Sequence, residues 1–362
     1  MSACLPEGAY ALALAMAPAV GPATLRGLLR ENPPSVAWAQ ASGESGQAIE
    51  EVAAMWDYHE HLGISVLLRN DPAYPDRLLD DPEAPAVLFC LGDPTVLARR
   101  ATVALVGTRA PTRYGIGVAA QLGAELSAAG VSIVSGLALG VDAAAHEGAC
   151  GAGEPPIGVV AGGLDEPYPR RHARLWERVA GEGVIVSESP AGARTEKWRF
   201  PVRNKLLASL SDVVVVVESR HHGGSRHTVE AALVRGIPIG AVPGSIRSAT
   251  SEGTNALLAE GAFPVCSAAD VLVALSLAGA SLTTPLPAEP ELGDVRSGGA
   301  SDRIPPEAGE ERLVFDALTS DPSPLDDLLR ATGLSLPALC GALERLGQAG
   351  LARDAGGWWE RA

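Results

Sequence analysis

The chain has 362 residues, enough for two or three domains around a large core, and its formal net charge of −15 argues against a polyanion ligand spread over the whole surface. The acidity lies on the flanks, because residues 101–275 hold 15 Arg/Lys against 16 Asp/Glu, so the middle can still present a local basic groove. Five scattered cysteines without a C-x-x-C pair exclude a zinc ribbon or a paired disulfide framework, and suit reduced thiols in a cytoplasmic protein.

In chain order, the opening apolar run MSACLPEGAYALALAMAPAV lacks a basic start and is interrupted by Pro18 and Gly21-Pro22. It is expected to be neither a signal peptide nor a membrane span. Residues 8–62 read as short helices. Within them APAVGPATLRGLL is a helix, a tight Val-Gly-Pro turn and a second helix, an outline that resembles a helix-hairpin-helix unit. With only Arg26 and Arg30 as cations, a packing module is expected there.

From 101 to 275, short β-branched runs alternate with amphipathic helices: TVALVG, VSIVSG, PIGVVAG, GVIVSE, SDVVVVVES and PIGAVPG are the expected strands. Helices between them make parallel crossovers the economical arrangement, hence a doubly wound sheet with ligands at the strands' C-terminal ends. Residues 276–309, rich in Ala, Gly, Pro and Ser, read as a flexible linker. Residues 310–362 hold three helical patterns and a hairpin with a Gly-Gly turn, a winged-helix outline. The expected recognition helix, around Leu334 to Gly347, carries Arg345 and Glu344 but no basic stripe, which points to protein contact rather than DNA reading.

The chemistry concentrates in the loops after these strands. VGTRAPTRYG sets Gly107, Thr108 and Arg109 where backbone amides and a helix start can receive an anion. SGLALGVDAAAH repeats the logic, with Ser135 and Gly136 leaving a strand and Asp142 either charging a helix start or ordering the pocket. AGGLDEPYP is a third loop at that edge. Between 194 and 205, Arg194, Lys197, Arg199, Arg203 and Lys205 oppose only Glu196 and interleave with Trp198 and Phe200, as a phosphate backbone with stackable bases requires. FPVRN puts Phe200, Arg203 and Asn204 on one short connection, able to grip a base and a phosphate together. GGSRHT then offers Gly224 with Ser225 and Thr228 as hydroxyl donors at a helix start.

GTR with YG, SGLALGVDAAAH, GGLDEPYP, SPAG, FPVRN, VVVVES, GGS, AVPGS and SEGTN, in this order, resemble the DNA-processing protein A (DprA/Smf) family of bacterial natural transformation. The resemblance implies an extended Rossmann-like α/β domain at 66–275, a helical (helix-hairpin-helix or SAM-like) domain at 1–65 and a winged helix at 310–362. It further implies a cytoplasmic, non-enzymatic homodimer that needs no cofactor and contacts no membrane. Such a protein binds and protects incoming single-stranded DNA and loads the RecA recombinase onto it. Carried over, the DNA contacts would include Arg109, Ser135, Gly136, Lys197, Phe200, Arg203, Asn204, Gly224 and Ser225. One departure is GGSRHTVEAA, where the family has SGSLITA. Gly223, Gly224 and Glu230 resemble instead the Gly-Gly-x-Gly-Thr-x-x-Glu loop of lysine-decarboxylase-like nucleotide phosphoribohydrolases, though the third Gly is missing and Thr228 comes one position late. The alternative is therefore a nucleotide-binding enzyme or sensor on the same sheet, with Glu230 at its site.

Overall fold

The computed structural model describes residues 5–18, 20–45, 48–98, 101–221, 223–280, 306, 309–318, 323–354 and 358–361. The chain divides into two compact units, Met1–Ala288 and Glu289–Ala362. The first opens with four helices, α1 (Glu7–Met16), α2 (Pro22–Glu31), α3 (Pro34–Ser45) and α4 (Ile49–His61). Pro22 stands in the first turn of α2, where its missing N–H has no acceptor to lose. Then come β1 (Ile64–Leu68), β2 (Val87–Gly92), β3 (Thr102–Val106), α5 (Arg113–Ala128), β4 (Ser132–Ser135), α6 (Val141–Ala149), β5 (Ile157–Val160), α7 (Ala173–Glu182) and β6 (Val184–Ser187). The unit closes with α8 (Arg199–Ser209), β7 (Val213–Val216), α9 (Arg226–Val234), β8 (Ile239–Ala241), α10 (Glu252–Ala259), β9 (Phe263–Pro264) and α11 (Ala268–Leu277).

The strands form one nine-stranded sheet in the order β1-β2-β6-β5-β4-β3-β7-β8-β9. All six expected strands are present and run parallel, β3 pairing with β4 through Val103↔Ile133 and with β7 through Val103↔Val213. Their valines and isoleucines are buried on both faces, the pattern helices on both sides demand. One face sets Val103, Leu105, Ile133 and Val215 against α5, α6 and α11; the other sets Ala104, Val106, Val134 and Val216 against α8 and α9. β1 and β2 extend the β6 edge antiparallel. Successive strands step from β3 toward β6, and β7 returns to the other side of β3, so the switch in strand order lies between β3 and β7.

The helical start is not set apart from the sheet. Leu12, Leu14, Leu25 and Ala37 share a core with Phe89, Ile185 and Trp176, and the expected boundary at 65/66 falls inside β1. Hydrophobic burial against the antiparallel strands joins the two parts. Most of the expected linker, 281–305 and 307–308, lies outside the described residues, while its first two positions still belong to α11.

The second unit holds α12 (Glu310–Ala317), β10 (Ser323–Pro324), α13 (Leu325–Thr332), α14 (Leu336–Gln348), β11 (Ala352–Asp354) and β12 (Trp358–Arg361). Leu339, Leu343 and Leu346, at helical spacing on α14, pack with Val314 and Leu328. β11 pairs antiparallel with β12; the Gly-Gly turn between them lies outside the described residues. Arg345, the cation of the expected recognition helix, is paired with Glu311 and Glu310 of α12.

Candidate nucleic-acid interface

The loops after β3, β4 and β5 and the start of α8 enclose a small cavity of about 50 Å³, lined by Arg109, Gly136, Tyr168, Thr195, Phe200 and Arg203 among others. Arg109 is exposed on the loop after β3, and its guanidinium carbon lies 4.9 Å from the centre of the Phe200 ring. Tyr168, 52 % exposed, stands 6.2 Å from that ring at 53°. A guanidinium over one aromatic with a second tilted beside it offers π faces and a cation within one nucleotide's reach.

FPVRN is not the short connection expected but the opening of helix α8. Pro201 is tolerated because the first helical turn leaves its amides without partners. The helix therefore separates residues the sequence seemed to group. Phe200, half-buried, faces the cavity, whereas Arg203 turns inward and is only 6 % exposed. Its Nη1 donates to the Val159 carbonyl at 2.7 Å, and it faces Asp142. Burial pushes the Asp142 carboxyl up, while Arg203 and the amides of Gly136 and Ala138 pull it back. Asp142 thus both charges the first turn of α6 and orders the pocket floor, accepting from the Gly136 amide at 3.1 Å. Gly136 has to be glycine here, because a Cβ would lie 1.7 Å from Arg203 Nη1.

The other expected residues divide. Ser135 is fully buried and donates to the Leu105 carbonyl at 2.6 Å, so it braces neighbouring strands. Lys197 is exposed on the loop leading into α8, and neither it nor Arg194 has an ion-pair partner among the described residues. Lys205 is held by Glu83 at 2.6 Å, and Arg199 donates to Ser189 Oγ at 2.6 Å while stacking on Trp198. The five-cation cluster therefore reduces to two free cations, joined by Arg109 from another loop. Asn204 donates to the Gly224 carbonyl at 3.3 Å, tying α8 to the turn before α9. Ser225 precedes α9 without capping it, its buried hydroxyl donating instead to Ser219 Oγ at 2.8 Å. Tyr168 was not among the expected contacts; an aromatic in the loop after a parallel strand was the signal for it.

The anion site expected at Gly107 to Arg109 is already filled. The Glu218 carboxylate, from the end of β7, accepts from the Thr112 amide at 2.8 Å and its hydroxyl at 2.6 Å, at the start of α5. The Thr108 amide meanwhile donates to the Glu218 carbonyl at 2.7 Å. Glu230, the candidate acid of the enzymatic alternative, sits exposed on α9, paired with Arg226 at 3.2 Å and facing His227 at 3.5 Å. Among the described residues no helix is long and apolar enough to cross a membrane.

Residues 65–276 match the family described as DNA recombination-mediator protein A, and residues 299–357 match the DprA winged helix domain. The DNA processing protein DprA of Bacillus subtilis is 37 % identical over 223 residues, covering 62 % of this chain and 75 % of that protein. Protein Smf of Synechocystis sp. is 30 % identical over 385 residues, covering 95 % of this chain and 96 % of its own. DNA processing protein A from Streptococcus pneumoniae superposes with a TM-score of 0.60 at 32 % identity, over 67 % of this chain and 82 % of that one. Its counterpart from Helicobacter pylori, described for its single-stranded DNA binding mode, superposes with a TM-score of 0.54 at 32 % identity, over 61 % of this chain and 99 % of that one.

Proposed function

Because the chain belongs to the DNA recombination-mediator protein A family, also called DprA or Smf, we propose that it is a single-stranded-DNA-binding recombination mediator of natural transformation. The observation that carries the reading to particular residues is Arg109 stacked over Phe200 beside Tyr168 at the C-terminal end of the sheet. Aromatic faces accept any base of an unpaired strand, and Arg109, Arg194 and Lys197 supply charge for its phosphates. Arg203, Asp142 and Gly136 form the floor that keeps Phe200 and Arg109 in register. Asn204, Gly224 and Ser225 act further along, by holding the α9 turn.

A strand held this way is shielded and handed to the RecA recombinase, with a second copy of the chain as partner, in the cytoplasm. The role is binding rather than catalysis. Glu218 occupies the helix start a nucleotide's phosphate would need, and an exposed, ion-paired Glu230 lacks the enclosed environment of a glycosidic acid.

Phe200→Ala tests the reading. It should cost about 1–3 kcal/mol of single-strand affinity, almost equally for oligo-dT and oligo-dA. Free mononucleotides should bind far more weakly than either. A large drop in melting temperature with unchanged DNA affinity would sink the stacking role.

A further inference from the structure

A second set of cavities lies beyond the pocket wall. One of about 500 Å³ separates the α1–α2 turn, around Met16 to Leu25, from the loop Glu188–Arg199. Another of about 220 Å³ runs on past Arg26, Lys205 and Arg235. Glu188 and Trp198 line both, and a narrow space between them is walled by Val160 and Arg203, which also line the first pocket. Trp198 is 49 % exposed, yet its ring is fixed: Nε1 donates to Glu196 at 2.6 Å, and Arg199 stacks 4.5 Å from its centre. The Glu188 side chain has no hydrogen bond or ion pair among the described residues. Around it the lining is small and apolar, with Pro22, Pro190 and Ala191.

We propose that this cleft is a second base subsite, selective for guanine, with Trp198 as its stacking face and the Glu188 carboxylate as acceptor for the guanine N1–H and exocyclic amine. The inference rests on the single-strand reading above. Guanine alone among the four bases presents two adjacent donors on its Watson–Crick edge, which the two oxygens of a carboxylate accept side by side. Adenine and cytosine offer one donor beside an acceptor, and thymine one donor flanked by two acceptors, each of which sets a lone pair against the carboxylate. Only an unpaired strand leaves that edge free. Arg26 of α2 is without an ion-pair partner among the described residues and supplies a phosphate contact at the cleft wall.

Burial pushes the Glu188 carboxyl up to about 7; Arg26 and Lys205 work against this, and Asp81 and Glu83 reinforce it. Glu196 and Arg199 also face the cleft. The selectivity should therefore be strong above neutrality and fade as the pH falls below it, since a protonated acid no longer accepts at both oxygens.

The test titrates the full chain with an oligo-dT tract and with the same tract carrying dG, deoxyinosine or dA at every fourth position. At about pH 8 the dG tract should bind about tenfold tighter than the dA tract, with deoxyinosine between them because it lacks the exocyclic amine. Glu188→Gln should abolish that preference and leave oligo-dT affinity unchanged; Trp198→Ala, at an exposed position, should weaken the dG tract more than the dA tract and so shrink the preference, which supports the subsite even if the Gln variant misfolds. Equal wild-type affinity for dG and dA tracts, with oligo-dT still bound, overturns the guanine subsite alone. Failure of the wild-type chain to bind oligo-dT at all overturns the single-strand reading beneath it. An arginine-bearing peptide that binds in a Glu188-dependent way, with no dG preference, would assign the cleft to a protein and overturn the proposal.

Discussion

Arg203→Met separates a structural guanidinium from a phosphate contact. Methionine keeps an unbranched stem but removes the donor to Val159 and the charge facing Asp142, in a side chain 6 % exposed. Losing the charged hydrogen bond to Val159 costs roughly 1.5–3 kcal/mol, and the buried Asp142 carboxyl loses the guanidinium that faces it as well. For a unit of this size that lowers Tm by roughly 5–10 °C. Asp142, its carboxyl already raised by burial, then binds a proton more readily in the folded than in the unfolded chain. Stability consequently falls as pH rises, and the deficit is deeper at about pH 8 than at about pH 5. The DNA readout moves differently: whatever affinity is lost through a disordered floor, the slope of log K against log salt keeps its value, because no phosphate contact has gone. Urea denaturation at the two pH values and oligo-dT titrations across salt give both readouts. A variant that unfolds like the wild type while its salt slope drops by about 0.7 would refute the buried role and put Arg203 on the strand.

Arg109→Ala and Lys197→Glu should each lower that slope by about 0.7 per lost contact and leave the melting curve in place, since both side chains are exposed; a matching loss of stability would mark either as structural. Deleting residues 310–362 should leave single-strand affinity largely intact, because Arg345 is neutralised within its own unit and the tail carries nine Asp/Glu against five Arg; a large loss measured by the same titration would mean the winged helix reads DNA. His146 is fully buried, and burial lowers its pKa to about 4. The unfolded chain takes up that proton first, so His146 should withdraw up to about 3 kcal/mol of stability as pH falls from roughly 6.5 toward 4. A His146→Gln variant should flatten that part of the profile, and an unchanged pH dependence would contradict it.

The parallel strands were legible because each is a short, continuous β-branched run that only burial on both faces explains. β1 and β2 were not read, although ISVLL follows Gly63 and VLFCLG ends at Gly92: β1 pairs with β2, and β2 joins the sheet only through the distant β6, a pairing across the chain that leaves no local trace. The Arg/Lys cluster was visible as charge but not as geometry. Its resolution was nevertheless written in the spacing. Arg203, Leu206, Leu207 and Leu210 recur at i, i+3, i+4 and i+7, and all four are buried. Reading FPVRN as one short connection concealed that face, and with it the distinction between Arg203 and Lys197. The Glu218 contact with Thr112 spans 106 residues and could not be read from either motif alone.

Glu218 also determines which ligands the sheet can compete for. A carboxylate carried on the chain and seated on the Thr112 amide and hydroxyl behaves as a permanently tethered ligand. Its effective concentration at the start of α5 is set by the few ångströms it can wander, in the millimolar range or above, and dilution does not lower it. A free nucleotide phosphate would have to outcompete that resident anion and strand it in a buried site, whereas a polymer gripped at Arg109 and Phe200 need never contest the position. The anion cradle at the start of α5 is thus occupied from within, and any ligand that needs that helix start meets a carboxylate already seated there.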